Sequence, residues 1–208
     1  MQKTFKEQIE LLEIDESNQV YNLRIGTLHV MLTAVHTMNQ KREDGSIKLQ
    51  EPYTKAIVKY ISEKLDTYHY IKLQDTGVES NRLNQEPFKQ NLLKYIKEYN
   101  IKLVIDIHGA KEERDFDVEF GTLNNLTTDF STIKELEDAF VEQGVKGVVY
   151  NDPFKGGGIT QSIYGNTEID VVQIEINKKF RDLNQAEKLE KICNALINFI
   201  KMYTNYVD

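Results

Sequence analysis

Three apolar stretches of this sequence end in side chains that bind metals or move protons. Leu28 to Val35 runs into His36, Leu103 to Ile107 contains Asp106 and ends on His108-Gly109, and Asp170 to Ile176 carries Glu175 and stops at Asn177. Two imidazoles and a carboxylate at three such ends are the composition of a metal hydrolase. Asp106 and His108 stand two apart and share a strand face with Val104, as do Val171, Gln173, Glu175 and Asn177. Read singly, each polar residue has a plain alternative, a solvated edge or a satisfied histidine.

The elements that must position these groups alternate along the chain. The opening third reads as a meander: strands from Glu7 to Ile14, Val20 to Ile25 and Leu28 to Val35, with a turn at Asp15-Glu16-Ser17-Asn18. A helix should run from Pro52 to about Leu65 and a strand from Tyr68 to Leu73, before Pro87 opens the next helix. The strand Lys102 to His108 is apolar enough to be central. Strands at Phe116 to Phe120 and Val145 to Tyr150 flank a helix begun by a Thr132-x-x-Glu135 capping box and ended at Gly144. Asn39 to Gln50 and Asn151 to Gly158 read as loops. The last helix carries Leu189, Ile192, Cys193, Leu196, Phe199 and Ile200 on one face, which makes Cys193 a core residue. The pattern predicts a single α/β domain over 1–208, a mixed, mainly parallel sheet with helices on both faces, phosphorylase/hydrolase-like in arrangement. Ligands of such sheets sit beyond the carboxyl ends of the strands.

Composition narrows the function. A formal charge of -7 repels a phosphate backbone, so nucleic acid is not an expected partner. One cysteine leaves no internal disulfide and no clustered thiolates, and no run of about 18 apolar residues suggests a membrane span. The expectation is a cytoplasmic protein.

Val104-Ile-Asp-Ile-His108-Gly109, Asp117-Val-Glu-Phe-Gly121-Thr122, the Asn151-Asp-Pro-Phe-Lys-Gly-Gly157 loop and Gln173-Ile-Glu-Ile-Asn177 occur in that order. Together with Asn81-Arg82 and with His36 after a strand, they resemble the N-formylglutamate amidohydrolases from about Leu28 to Asp182. The resemblance implies the fold of zinc carboxypeptidases and aspartoacylases, with one zinc ion bound by two histidines and a carboxylate. Carried onto this sequence it makes His36 and His108 ligands and Glu51, ahead of the helix after His36, the third; Glu43 and Asp44 are rivals. Glu175 becomes the general base. Arg82 becomes a clamp on a substrate carboxylate or a partner of the developing oxyanion, with Asn81 orienting it, and Gly156, Gly157 and Thr160 line the substrate site. Gly158 completes a glycine triplet that would let backbone amides approach a substrate, or would simply turn. Asp106 is read as holding an imidazole or Arg82 from behind, and His29 and His69 as structural. The implied substrate is a small N-acyl amino acid. The alternatives are a zinc peptidase or deacylase on another N-acyl or peptide substrate, or a non-catalytic binding domain. Val35, Thr37, Met38 and Lys178 depart from the family pattern around the pocket.

Overall fold

The computed structural model describes residues 3–14, 17–82 and 86–207. A seven-stranded sheet is built from β1 (Tyr21–Arg24), β2 (Leu28–Ala34), β5 (Thr67–Lys72), β6 (Leu103–Ala110), β7 (Val118–Gly121), β8 (Val148–Tyr150) and β9 (Asp170–Asn177), in the order β1-β5-β2-β6-β9-β7-β8. β5, β2, β6 and β9 run parallel; β1 pairs antiparallel with β5, and β7 antiparallel with β9. The mixed, mainly parallel sheet is the one the sequence predicts, and β6 is indeed central.

Helices cover both faces. α1 (Phe5–Glu13), α2 (Thr54–Leu65), α4 (Phe130–Glu142) and α6 (Ala186–Val207) pack on one face, over Leu32, Ile105, Ile107, Ile174 and Ile176; Cys193 is buried there. α3 (Pro87–Glu98) and the short α5 (Gly158–Tyr164) cover the other, over Met31, Val35, Tyr70, Val104 and Val171. Among the described residues no helix is long and apolar enough to cross a membrane.

Several expectations fail locally. Glu7 to Ile14 is not a strand: Phe5, Ile9 and Leu12 follow helical spacing, and a Thr4/Glu7 capping box starts α1. The opening is therefore no meander, because β1 pairs with β5 rather than with β2. Of the predicted turn, Asp15 and Glu16 lie outside the described residues. The helix expected from Pro52 begins at Thr54, since Tyr53 adopts a left-handed conformation (φ 67°) and the Glu13 carboxylate, from the end of α1, accepts the Tyr53 and Ala56 amides at 3.0 and 3.2 Å. α4 starts at Phe130 after Asp129, so Thr132 caps nothing, whereas Gly144 (φ 79°) does follow its end. The loop from Asn39 to Gln50 holds a small hairpin, β3 (Gln40–Lys41) with β4 (Ile47–Lys48), and Gly158, at the end of the expected Asn151 to Gly158 loop, opens α5, an element the sequence pattern does not predict.

Candidate metal centre and active-site cleft

The register of the central strands decides which side chains meet. Thr33, Asp106 and Gln173 lie abreast on β2, β6 and β9, and His108 lies beside Glu175 one step further toward the carboxyl ends. All five point to the α3/α5 side, since their neighbours in sequence fill the opposite core. Past the ends of these strands opens a cavity of about 580 Å³ bordered by His36, Glu51, His108 and Glu175.

His108 is fixed from behind. Its Nε2 lies 2.9 Å from Asp106 Oδ2, and Asp106 Oδ1 accepts the Thr33 hydroxyl at 2.7 Å. With Nε2 engaged by Asp106, Nδ1 is the ring nitrogen that faces Glu51 Oε2, at 3.5 Å. Burial works against a charge on His108, but Asp106 and Glu51 outweigh it and hold its pKa well above the usual range. His36, directly after β2, is equally buried; burial pushes its pKa well below the usual value. Its ring centroid lies 5.1 Å from that of His108.

Glu51 reaches the same point from the turn before α2. Its amide donates to the His36 carbonyl at 2.8 Å, and its carboxylate accepts the Gly109 amide at 2.9 Å and the Lys48 ammonium at 2.6 Å. Burial opposes its charge, yet His36, His108 and Lys48 hold its pKa well below the carboxylate range. One donor atom each from His36, Glu51 and His108 lie within 4.8 Å of one another. Glu43 and Asp44, the rival carboxylates, lie exposed, Asp44 being spent on the Ser46 turn.

Glu175 is buried beside this group, and burial pushes its pKa up to about 7. Gln173 donates to Glu175 Oε1 at 2.9 Å while its own oxygen accepts the Gly157 amide at 2.5 Å, so one side chain ties the carboxylate to the glycine loop. Asn81 also holds that loop: its Oδ1 accepts the Ile159 amide in the first turn of α5. A Cβ on Gly158 would stand 1.9 Å from the Asn81 carbonyl oxygen, so the close approach demands glycine. Asn81 thus orients the loop rather than Arg82.

Arg82 lines the cavity but is mostly exposed, and its Nε lies 3.3 Å from Glu79 Oε2. Gly156 and Gly157 line the cavity, whereas Thr160 is buried behind Gly156 and does not. Asp106 holds His108, and among the described residues no hydrogen bond or ion pair joins it to Arg82. His69, away from the cleft, has both ring nitrogens engaged, by Ser62 and Asn22; His29 meets the Tyr99 carbonyl on the surface.

Four further side chains contribute, and of these only Gln173, two residues before Glu175, has a periodic signal in the sequence. Glu79 is buried against Arg42 at 2.6 Å, Lys48 sits on Glu51, and Gln173 bridges as described. Arg181 is the fourth. Its buried guanidinium donates to the carbonyls of Ile176, Ala110 and Pro52, stitching the ends of β9 and β6 to the residue after Glu51. A Cβ on Gly109 would meet that guanidinium at 2.3 Å, which is why glycine follows His108. Arg181 stands three residues after Lys178, just past a 3-10 turn.

The fold is shared with solved structures at low identity. N-formylglutamate amidohydrolase from Ralstonia eutropha JMP134 superposes with a TM-score of 0.64 at 12% identity, covering 90% of this chain and 99% of that one. A bacteriophage poly-gamma-glutamate hydrolase gives 0.58 at 15%, covering 93% and 94%. BSAP, a zinc aminopeptidase from Bacillus subtilis, gives 0.54 at 8%, covering 88% of this chain and 49% of that one. No curated protein matches the sequence. The model of the N-formylglutamate amidohydrolase family, however, matches residues 38–180, starting just after His36 and taking in Glu51, His108 and Glu175. With well over half of its length matched, the chain belongs to the N-formylglutamate amidohydrolase family, enzymes that hydrolyse an amide bond.

Proposed function

We propose that the cleft hydrolyses the acyl-amide bond of a small N-acyl amino acid and that His36, Glu51 and His108 hold a zinc ion for the purpose. The observation that carries this reading is the buried His-Glu-His set with donor atoms within 4.8 Å, beside a carboxylate whose pKa burial lifts to about 7. The donor chemistry fits zinc: two imidazoles, one of them backed by a carboxylate, and one glutamate leave a coordination position open. The buried Glu51 carboxylate draws a positive partner, Lys48 at 2.6 Å, which supports a cation at this point. The zinc aminopeptidase of similar fold supports the choice of metal.

A bound zinc supplies Lewis acidity, polarising the scissile carbonyl and making water nucleophilic at neutral pH. Glu175 accepts a proton from the attacking water and returns it to the leaving nitrogen, which departs as an amine; its lifted pKa suits both directions of transfer. Gln173 holds the carboxylate in place through both halves of the cycle. Asp106, with Thr33 behind it, keeps the His108 ring in one tautomer and one orientation. Arg82, steadied by Glu79, binds the carboxylate of the amino-acid half.

The test of the substrate class is kcat/KM for N-formyl-, N-acetyl- and N-succinyl-glutamate in the zinc-supplemented protein, each against the form amidated at its α-carboxylate. Because Arg82 is largely exposed, its charge-assisted bonds are screened, and the free acid should win by roughly tenfold. Arg82→Lys should narrow that margin. Equal rates on acid and amide in the wild type would remove the clamp.

A further inference from the structure

The cavity is charged against the trend of the molecule. The chain has 33 acidic and 26 basic residues, yet six basic side chains line this cleft, Arg42, Lys48, Arg82, Lys111, Arg114 and Lys155, against three acidic ones, Glu51, Glu79 and Glu175. Partners within the cleft use up one half of these. Lys48 sits on Glu51, and Arg42 and Arg82 share Glu79, while Glu175 is held by neutral Gln173. Lys111, Arg114 and Lys155 form no ion pair among the described residues; Arg114 lies over the Phe154 ring at 5.1 Å. Within Lys111-Glu112-Glu113-Arg114-Asp115 only the two basic residues line the cavity, so the turn sorts its charges by side.

Topology sets the two cationic groups apart. Arg42 lies in the β3–β4 hairpin that follows β2, and Arg82 follows β5, on one side of β6; Lys155 follows β8, beyond β9 and β7, while Lys111 and Arg114 follow β6, Arg114 packing on the Lys155 loop through Phe154. His108 and Glu175, on β6 and β9, stand between the strands that lead to Arg42 and Arg82 and the strand that leads to Lys155. The Arg42–Arg82 group accounts for the carboxylates of the amino-acid half, both of which, in a glutamate, lie on the amine side of the scissile bond. Like charges gathered without partners repel one another and are relieved by an anion, but a formyl group has nothing to offer them. The volume, about 580 Å³, falls in the range that encloses drug-sized ligands.

We propose that the substrate is an N-acyl amino acid whose acyl half carries its own carboxylate, bound astride the scissile amide by Arg42 and Arg82 at one end and Lys111, Arg114 and Lys155 at the other. The inference rests on the reading of the cleft as the amidohydrolase site. Water adds to the acyl carbon, the C–N bond breaks, and the products are a dicarboxylic acid and an amino acid.

The experiment compares N-succinyl-glutamate with N-succinamyl-glutamate, which differ only by carboxylate or carboxamide at the acyl end, in zinc-supplemented wild type and in a Lys111→Gln/Arg114→Gln/Lys155→Gln variant. Exposed charges are individually weak, so three together should favour the succinyl substrate by about tenfold in kcat/KM, a margin that shrinks with added salt. The triple variant should lose that preference while keeping its preference for a free carboxylate on the amino-acid half. Equal wild-type rates, a preference that survives in the triple variant, or cleavage of N-formylglutamate alone would overturn the inference and leave the proposed function standing. Failure to cleave any N-acyl glutamate with zinc present would remove the proposed function itself, and this inference with it.

Discussion

The two faces of β2, β6 and β9 are made from the same three strands, alternate residues going to each. On the α2/α6 face Leu32, Ile105, Val172 and Ile174 are buried in a wholly apolar cluster. On the α3/α5 face the row one residue along is Thr33, Asp106 and Gln173, followed by His108 and Glu175, every one of them buried. Buried polar groups cost free energy unless partnered, and most of these are partnered with one another in an ordered chain. The apolar face stabilises the strands; the polar face uses the rigidity so obtained to fix a constellation that would not form on a loop. The division makes a sharp expectation: substitutions on one face should change stability, and on the other chemistry.

The largest effect should come from His108→Ala, which removes a donor from the His36–Glu51–His108 set and leaves the buried Asp106 with Thr33 alone. Zinc and hydrolysis should disappear together, read by elemental analysis and product formation on one preparation. Glu175→Gln should lower kcat by about 10²–10⁴-fold, the usual worth of general acid–base help. It should keep its zinc and its melting temperature, because Gln173 can still bond the new amide oxygen. Loss of metal in that variant would assign Glu175 to the ligand set instead. Ile105→Ala, on the apolar face one residue before Asp106, should lower unfolding free energy by about 2–5 kcal/mol in denaturant titration. Its kcat/KM per folded molecule should stay within about threefold of wild type; a collapse of activity in the folded protein would mean that the two faces are not separable.

The polar ends of the apolar strands were visible in the sequence because strand parity is local: Asp106 with His108, and Gln173 with Glu175, needed only a period of two. The gathering of His36 and Glu51 on His108 was reached through the family resemblance. The first helix reads as a strand because Ile9, Leu11, Leu12 and Ile14 satisfy either period over a short stretch; the Thr4-x-x-Glu7 capping box breaks the tie. The helix matters to the site, since Glu13 of α1 caps the turn that follows Glu51. Arg42 with Glu79, and Arg181 with the carbonyls of Ala110 and Pro52, depend on contacts 37 to 129 positions apart in sequence. No local pattern encodes them. Thr160 failed for a related reason: the glycine triplet begins a helix rather than a loop, and turns that side chain inward.

The central claim, that the polar face carries a metal site for hydrolysis, is tested most directly by metal analysis of protein purified without chelators, with N-acyl-glutamate hydrolysis followed on the same sample. The account predicts about one zinc per chain, as a three-ligand site implies. Activity should be lost on chelation and restored by zinc. Protein that hydrolyses the amide equally well when free of any divalent metal, or that takes up none when zinc, cobalt or manganese is supplied, would contradict it.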